Sequence, residues 1–233
     1  EADMLSPATK QSSNTYLIYA DGNSSLVVKN VDIKALALVG VDYDMCGIFL
    51  IGSTADINTI SMSFSGSSKV MEGIYASGGS RLDLAKGDIS FLSADSASYS
   101  YGIASSNSAV SVSDTVIDLA CRSVTAKGLY CNGGSCAAMS DKISVETGLG
   151  TDFCIELSNM DSASIENSIL SSKYPDALCR LCACSSPRIA NCTLGCYTAP
   201  LTAMVYIYEG NSACLENNIF IGQGSLTRAL AVD

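Results

Sequence analysis

Histidine and tryptophan are absent from this chain of 233 residues, lysine and arginine together number only 13, and there are four prolines. Each scarcity excludes something. Histidine is the usual companion of cysteine in zinc sites and in thiol catalysis, so its absence counts against both. With 23 acidic residues the net charge is −10, which disfavours nucleic-acid backbones and anionic membrane surfaces; no nucleic-acid partner is expected. Long apolar runs are missing too. The longest, "ALALVGV" at 35–41, falls well short of the about 20 residues that carry a helix across a bilayer, so no membrane span is expected. The chain opens at Glu1 without a basic-then-apolar leader, which fits either a removed signal peptide or an expression boundary.

What is present is a 48% apolar composition with a mean hydropathy of +0.28, enough to fill a large core. Eleven cysteines accompany abundant serine, glycine and asparagine, with N-x-S/T sequons at Asn23 and Asn191. That combination points to an oxidising, extracellular or cell-surface setting. Because eleven is odd, at least one thiol is free or bonded to another chain.

The organising feature is a repeat. The apolar residue that follows glycine in "CGIFL", "EGIYA", "YGIAS" and "KGLYC" extends along the chain as Ile18, Ile48, Ile74, Ile103, Leu129, Ile155, Leu181 and Ile207. The mean step is about 27 residues, within the range of solenoid repeats. A second series runs Val28, Ile57, Leu84, Val112, Met139, Ile165, Ile189 and Leu215 with nearly the same period. Small or apolar residues alternate with polar ones about the second anchor, which is strand periodicity. Two residues after it stand Asn30, Thr59, Lys86, Asp114, Asp141, Asn167, Asn191 and Asn217, side chains that suit a turn. Abundant Ser, Gly, Asn, Thr and β-branched residues argue against a helical solenoid. The expected fold is therefore all-β: a single-domain parallel β-helix, or β-solenoid, of about eight coils of about 27 residues. The preference of parallel crossovers for the right hand predicts a right-handed one. Its coils span residues 14–222, between an N-terminal segment 1–13 and a C-terminal segment 223–233.

The phrases "SASIENSILSS" and "SACLENNIFIG", with the column Asn167, Asn191 and Asn217, resemble the right-handed parallel β-helix superfamily of pectate lyases, tailspikes and secreted adhesins. In the lyases and hydrolases of that superfamily, the resemblance implies acidic residues of neighbouring coils clustered on one outer face. The nearest match is Glu156, Arg180 and Glu209 near the first anchor, with Glu166 and Glu216 just after the second. Glu166 and Glu216 fall two coils apart, roughly 9.6 Å, the far edge of the inverting-carboxylate range. Solvated acids on an outward face are the better account of them, since outward positions need polar residues anyway, and no catalytic residue is assigned.

"CRLCAC" and "CTLGC" cluster Cys179, Cys182, Cys184, Cys192 and Cys196 in the short stretch 179–196. Paired knuckles of the zinc type are lacking, so neither a metal nor a cofactor is expected. Residues stacked in adjacent coils lie within bridging range, which makes these five, with Cys131, Cys136, Cys154 and Cys214, candidates for disulfides. Cys154 and Cys179 are near-stacked, and Cys131 and Cys136 can close a local loop.

The column after the first anchor carries Tyr19, Phe49, Tyr75, Tyr130 and Tyr208, and the one before it Gly47, Gly73, Gly102 and Gly128. With the anchors inward, both columns are expected to point outward, as rings leaning over glycines or as an interface for sugar or protein. The segment 1–13 shows no apolar helical stripe, and "TRALAVD" near the end reads as the start of another strand. Open solenoid ends invite self-pairing. Low charge, absent histidine and cysteine-rich coils resemble the tubular sheath proteins of methanogenic archaea, a resemblance that implies an envelope role, homopolymerisation and no catalysis.

Overall fold

In the computed structural model the described residues are 2–5, 14–37, 44–66, 68–95, 98–147, 151–173, 175–198, 203–209, 212–222 and 228–233. The remainder of the segments 1–13 and 223–233 lies outside them. Every strand pairing is parallel, and no helix occurs among the described residues. The chain forms a parallel β-solenoid with three faces.

Face one is built from Thr15–Ala20, Asp44–Ile51, Val70–Ser77, the leading parts of Tyr99–Ser113, Thr125–Met139 and Thr151–Glu166, then Ala177–Cys182, Ala203–Tyr208 and Leu230–Val232. Face two follows each of these after a corner, from Ser25 onward in the first coil to Cys214–Glu216 in the last. Face three closes the coil, from Ala2–Leu5 to Ile219–Gly222. Face two has eight rungs, so about seven turns separate the first from the last.

Both terminal segments contribute strands: Ala2–Leu5 pairs with Ile33–Leu36, and Leu230–Val232 pairs with Val205–Ile207. The core is a single cluster running the length of the solenoid, with Ile48, Ile57, Ile74, Phe91, Ile103, Leu129 and Ile155 all fully buried. Alternation drives this arrangement. Along Thr54–Gly66, Ala55, Ile57, Met62 and Phe64 point in, while Asp56, Asn58, Ser61 and Ser63 point out.

The anchor series shift at two points, and Ile207 follows the second shift by stacking on Leu181. Ala138, not Met139, stacks between Val112 and Ile165; Ala138 is 1% exposed and Met139 51%. In the seventh coil Cys179 stacks on Ile155, while Leu181 stacks on Leu157 two residues further along. The first shift is odd and turns a side chain outward. The second is even and leaves Leu181 in the core.

The glycine column faces inward rather than outward. A Cβ on Gly47 would lie 2.9 Å from the Phe64 ring, one on Gly73 2.9 Å from Ile89 Cγ2, one on Gly102 2.5 Å from Ile117 Cγ2 and one on Gly128 2.3 Å from Ile143 Cγ2. The ladder pairs residues on either side of these glycines but skips the glycines themselves. Glycine and anchor therefore both point inward, a bulge-like break in alternation that only a missing side chain permits against the isoleucines of face three.

Candidate functional site

The corner between faces two and three is held by two adjacent columns. Asn30, Thr59, Lys86, Asp114, Ser140, Asn167, Asn191 and Asn217 all have positive φ, between 50° and 61°. Ser140 occupies this position in the fifth coil, so Asp141 belongs one place further on. The reason is the same one-residue offset that moves Met139. Asparagine and aspartate tolerate the left-handed region, which explains their frequency here.

The next residue points into the corner and makes the ladder. Gly87 N–H donates to Thr115 Oγ1 at 3.2 Å, Thr115 N–H to Asp141 Oδ1 at 2.9 Å, Asp141 N–H to Ser168 Oγ at 3.2 Å and Cys192 N–H to Asn218 Oδ1 at 2.9 Å. The column resembling an asparagine ladder thus bends the chain, and its neighbours carry the side-chain hydrogen bonds between coils. Burial pushes the Asp141 carboxyl up to about 6.

On the outside of face one, rings stack along the axis. Tyr19 and Phe49 are 5.7 Å apart and 11° from parallel, Phe49 and Tyr75 5.0 Å and 25°. Ala104 occupies the column between Tyr75 and Tyr130, and the ring lying on Tyr130, at 5.6 Å and 25°, is that of Tyr101. Beyond Tyr130 the column continues as Glu156, Arg180 and Tyr206; Tyr208 pairs with Cys182 instead and falls outside it. Ring faces turned toward one another leave mainly edges for solvent.

Lys127 extends the stack. Its Nζ lies 4.0 Å from the Tyr130 ring centroid and 2.9 Å from Glu156 Oε2, and Arg180 Nη1 is 3.7 Å from Glu156 Oε1. Glu156 is thereby neutralised from both sides. Lys127, Tyr101, Glu72 and Cys46 share one column, the residue just before each glycine in "KGLY", "YGIA", "EGIY" and "CGIF". The quoted phrases carry that column, although the anchor series passes over it. Burial, then the nearby Asp44 charge, pushes the Glu72 carboxyl up to about 7, and no cation pairs with it among the described residues.

The two outer carboxylates of face two are bridged by one guanidinium. Arg188 Nη1 contacts Glu166 Oε1 and Arg188 Nη2 lies 3.2 Å from Glu216 Oε2, with Ala190 in the coil between. The Ser164 hydroxyl and Arg188 hold the Glu166 carboxyl below the usual range. Glu209 sits apart, at a turn with φ +51°.

The positions of the cysteines follow the ladders. Thr115 Oγ1 donates to the carbonyl of Ser113 and Ser168 Oγ to that of Glu166; Cys192 Sγ donates to that of Ala190 at 3.2 Å in the same way. At the corner between faces one and two, Ser53 and Ser108 bond the carbonyl two residues back, and Cys184 repeats the pattern at 3.5 Å. Cysteine here takes the place of serine with a larger, less polar atom. Cys46 and Cys154 likewise donate to the carbonyls of Ile48 and Ser171, each at 3.2 Å. Cys154 and Cys179 are one residue out of register and both fully buried. Cys196 is buried, Cys182 half-buried and Cys214 exposed.

The fold and these columns define a class, the parallel β-solenoid, its coils keyed by polar ladders and a ring stack. No family model matches the chain, and no curated protein or solved structure is significantly similar to it.

Proposed function

We propose that this chain is a structural, non-enzymatic protein of the cell surface that self-assembles, end to end and through its lateral faces, into a disulfide-reinforced sheath, layer or fibre. The supporting observation is the interior column at Leu230–Val232. Leu230 stacks on Val205 and Val232 on Ile207, so both hold core positions, yet they are 45% and 63% exposed. Core side chains exposed at the last described rung of this face are a template for a further rung.

A second copy offers one in the same columns: Ile18 of Thr15–Ala20 belongs over Leu230 and Ala20 over Val232. Exposed Ile169, Ile219 and Ile221 near Gly195 add an apolar lateral patch. Assembly of this kind fits a homopolymeric envelope layer such as the sheath of methanogenic archaea.

Electron microscopy and size-exclusion chromatography, with and without reductant, test the reading. Filaments or sheets are expected, lost in the double variant Leu230→Lys, Val232→Lys. A monodisperse monomer under every non-reducing condition overturns it.

One observation favours a second reading, a polysaccharide lyase, glycoside hydrolase or β-helical adhesin: the half-buried Glu72 carboxyl, pushed up to about 7, beside the ring stack. Sugar release from pectin or alginate that disappears in Glu72→Gln would carry that reading. The stacked rings count against it, because faces turned to one another cannot lie on a sugar.

A further inference from the structure

We propose that Cys131 and Cys136 form a disulfide within one coil, stapling face one to face two at the fifth coil. The bond stands whether or not the chain polymerises.

At this corner the last inward residue of one strand meets the first inward residue of the next. The registers place these residues in two columns flanking the corner, so that successive coils carry Ala20 and Leu26, Leu50 and Ala55, Ala76 and Leu82, Ser105 and Val110, Cys131 and Cys136, and Leu157 and Ala163. In every other coil of this set a small residue faces a larger one, the volume match expected of two side chains that share one space. In the fifth coil both are thiols of equal size. The two residues are 0% and 3% exposed, and the Cys131 thiol is the neighbour that most perturbs Cys136.

The contrast with the other thiols is informative. Cys46, Cys154, Cys184 and Cys192 direct their sulfurs to backbone carbonyls, whereas the largest influence on Cys136 is another thiol, that of Cys131. The connection between them is built for a tight return. Gly133 and Gly134 have φ of +76° and +85°, and a Cβ on Gly134 would lie 2.2 Å from the Ser108 carbonyl oxygen.

Two thiols become a disulfide by losing two protons and passing two electrons to an oxidant, here a small disulfide such as oxidised glutathione. One cysteine thiolate attacks the oxidant, releasing one reduced thiol and leaving a mixed disulfide. The second thiolate attacks the protein sulfur of that mixed disulfide, closing the bond and releasing the second reduced thiol. The neighbouring Cys131 thiol, then burial, pushes the Cys136 thiol well up, so exchange inside the closed coil is slow. The bond therefore forms as the coil closes during folding.

The test is to refold the full chain in a glutathione redox buffer, alkylate under denaturing conditions and map the digest by mass spectrometry. A peptide linking Cys131 to Cys136, present before reduction and absent after it, is expected in monomer and polymer fractions alike. In Cys131→Ser, Cys136 should return to the alkylated pool. Cys136→Val copies the residue at the same position of the preceding coil, keeps the corner filled, and should fold with the same circular dichroism while losing the cross-link. Alkylation of both cysteines in the oxidised, folded wild-type chain overturns the proposal. So does a cross-link from either to a different cysteine.

Discussion

Ser140 and Asp141 show how much turns on a single residue. The periodicity assigns Asp141 to the bend, but the bend falls on Ser140, and Asp141 becomes the acceptor for Thr115 N–H inside the corner. Cys192 plays the corresponding part three coils from Thr115, bonding the Ala190 carbonyl through sulfur. Cys192→Ser should keep that bond and change stability by less than about 1 kcal/mol, while Cys192→Ala should lose it at a cost of about 0.5–1.5 kcal/mol, measured by urea denaturation.

Glu72 makes a sharper prediction. Its folded pKa of about 7 exceeds the unfolded reference of about 4.3, so the folded chain binds the proton more tightly. The contribution to stability is then full below about pH 4.3 and declines as pH rises to about 7, because ionising a buried carboxyl without a cation is unfavourable. Glu72→Gln should flatten this part of the stability profile and raise stability above about pH 7 by about 1–3 kcal/mol. Melting temperature against pH checks both, and an unchanged slope in the variant would assign the pH dependence to other groups.

At the scale of the element, the face-one strand is a β-strand with one inserted inward residue. Gly102 tolerates this because nothing stands where a Cβ would meet Ile117 Cγ2 at 2.5 Å and the Gly128 carbonyl oxygen at 2.6 Å. Gly102→Ala should destabilise the chain by about 1–3 kcal/mol through overpacking. Gly195 lies on face three, where a Cβ would come no closer than 3.9 Å to the Ile221 carbonyl oxygen, and Gly195→Ala should stay within about 0.5 kcal/mol of wild type. Equal losses for the two variants in chemical denaturation would contradict the inward bulge. The ring stack belongs to the same scale. Ala104 divides it into two stacks, one of Tyr19, Phe49 and Tyr75 and one in which Tyr101, from a neighbouring column, lies on Tyr130.

For the whole molecule, the repeat itself is the testable object. Phe64 and Phe91 occupy one column in successive coils, so removing residues 64–90 joins Ser63 to Phe91 with every later residue still in its own column. That deletion takes out one complete turn and should leave a cooperative, all-β solenoid with a proportionally smaller unfolding enthalpy. Removing residues 64–91 instead brings Leu92 to the inward position and reverses every later side chain, so this second deletion should not fold. Circular dichroism and scanning calorimetry separate the two outcomes.

The sequence by itself determined the solenoid, since strand alternation and two anchor series recurring at one shared period admit few other ways to bury so many apolar residues without helices. It also placed most of the left-handed bends at the corner between faces two and three, where Asn and Asp are the commonest side chains. Only the tertiary structure decided which of two adjacent residues takes a bend, that the glycines face the core, and that Tyr206 rather than Tyr208 continues the ring column. The physical reason is common to all three. Column membership depends on bulges and corner lengths, and these are set by side chains one coil away in space but a full repeat away along the chain.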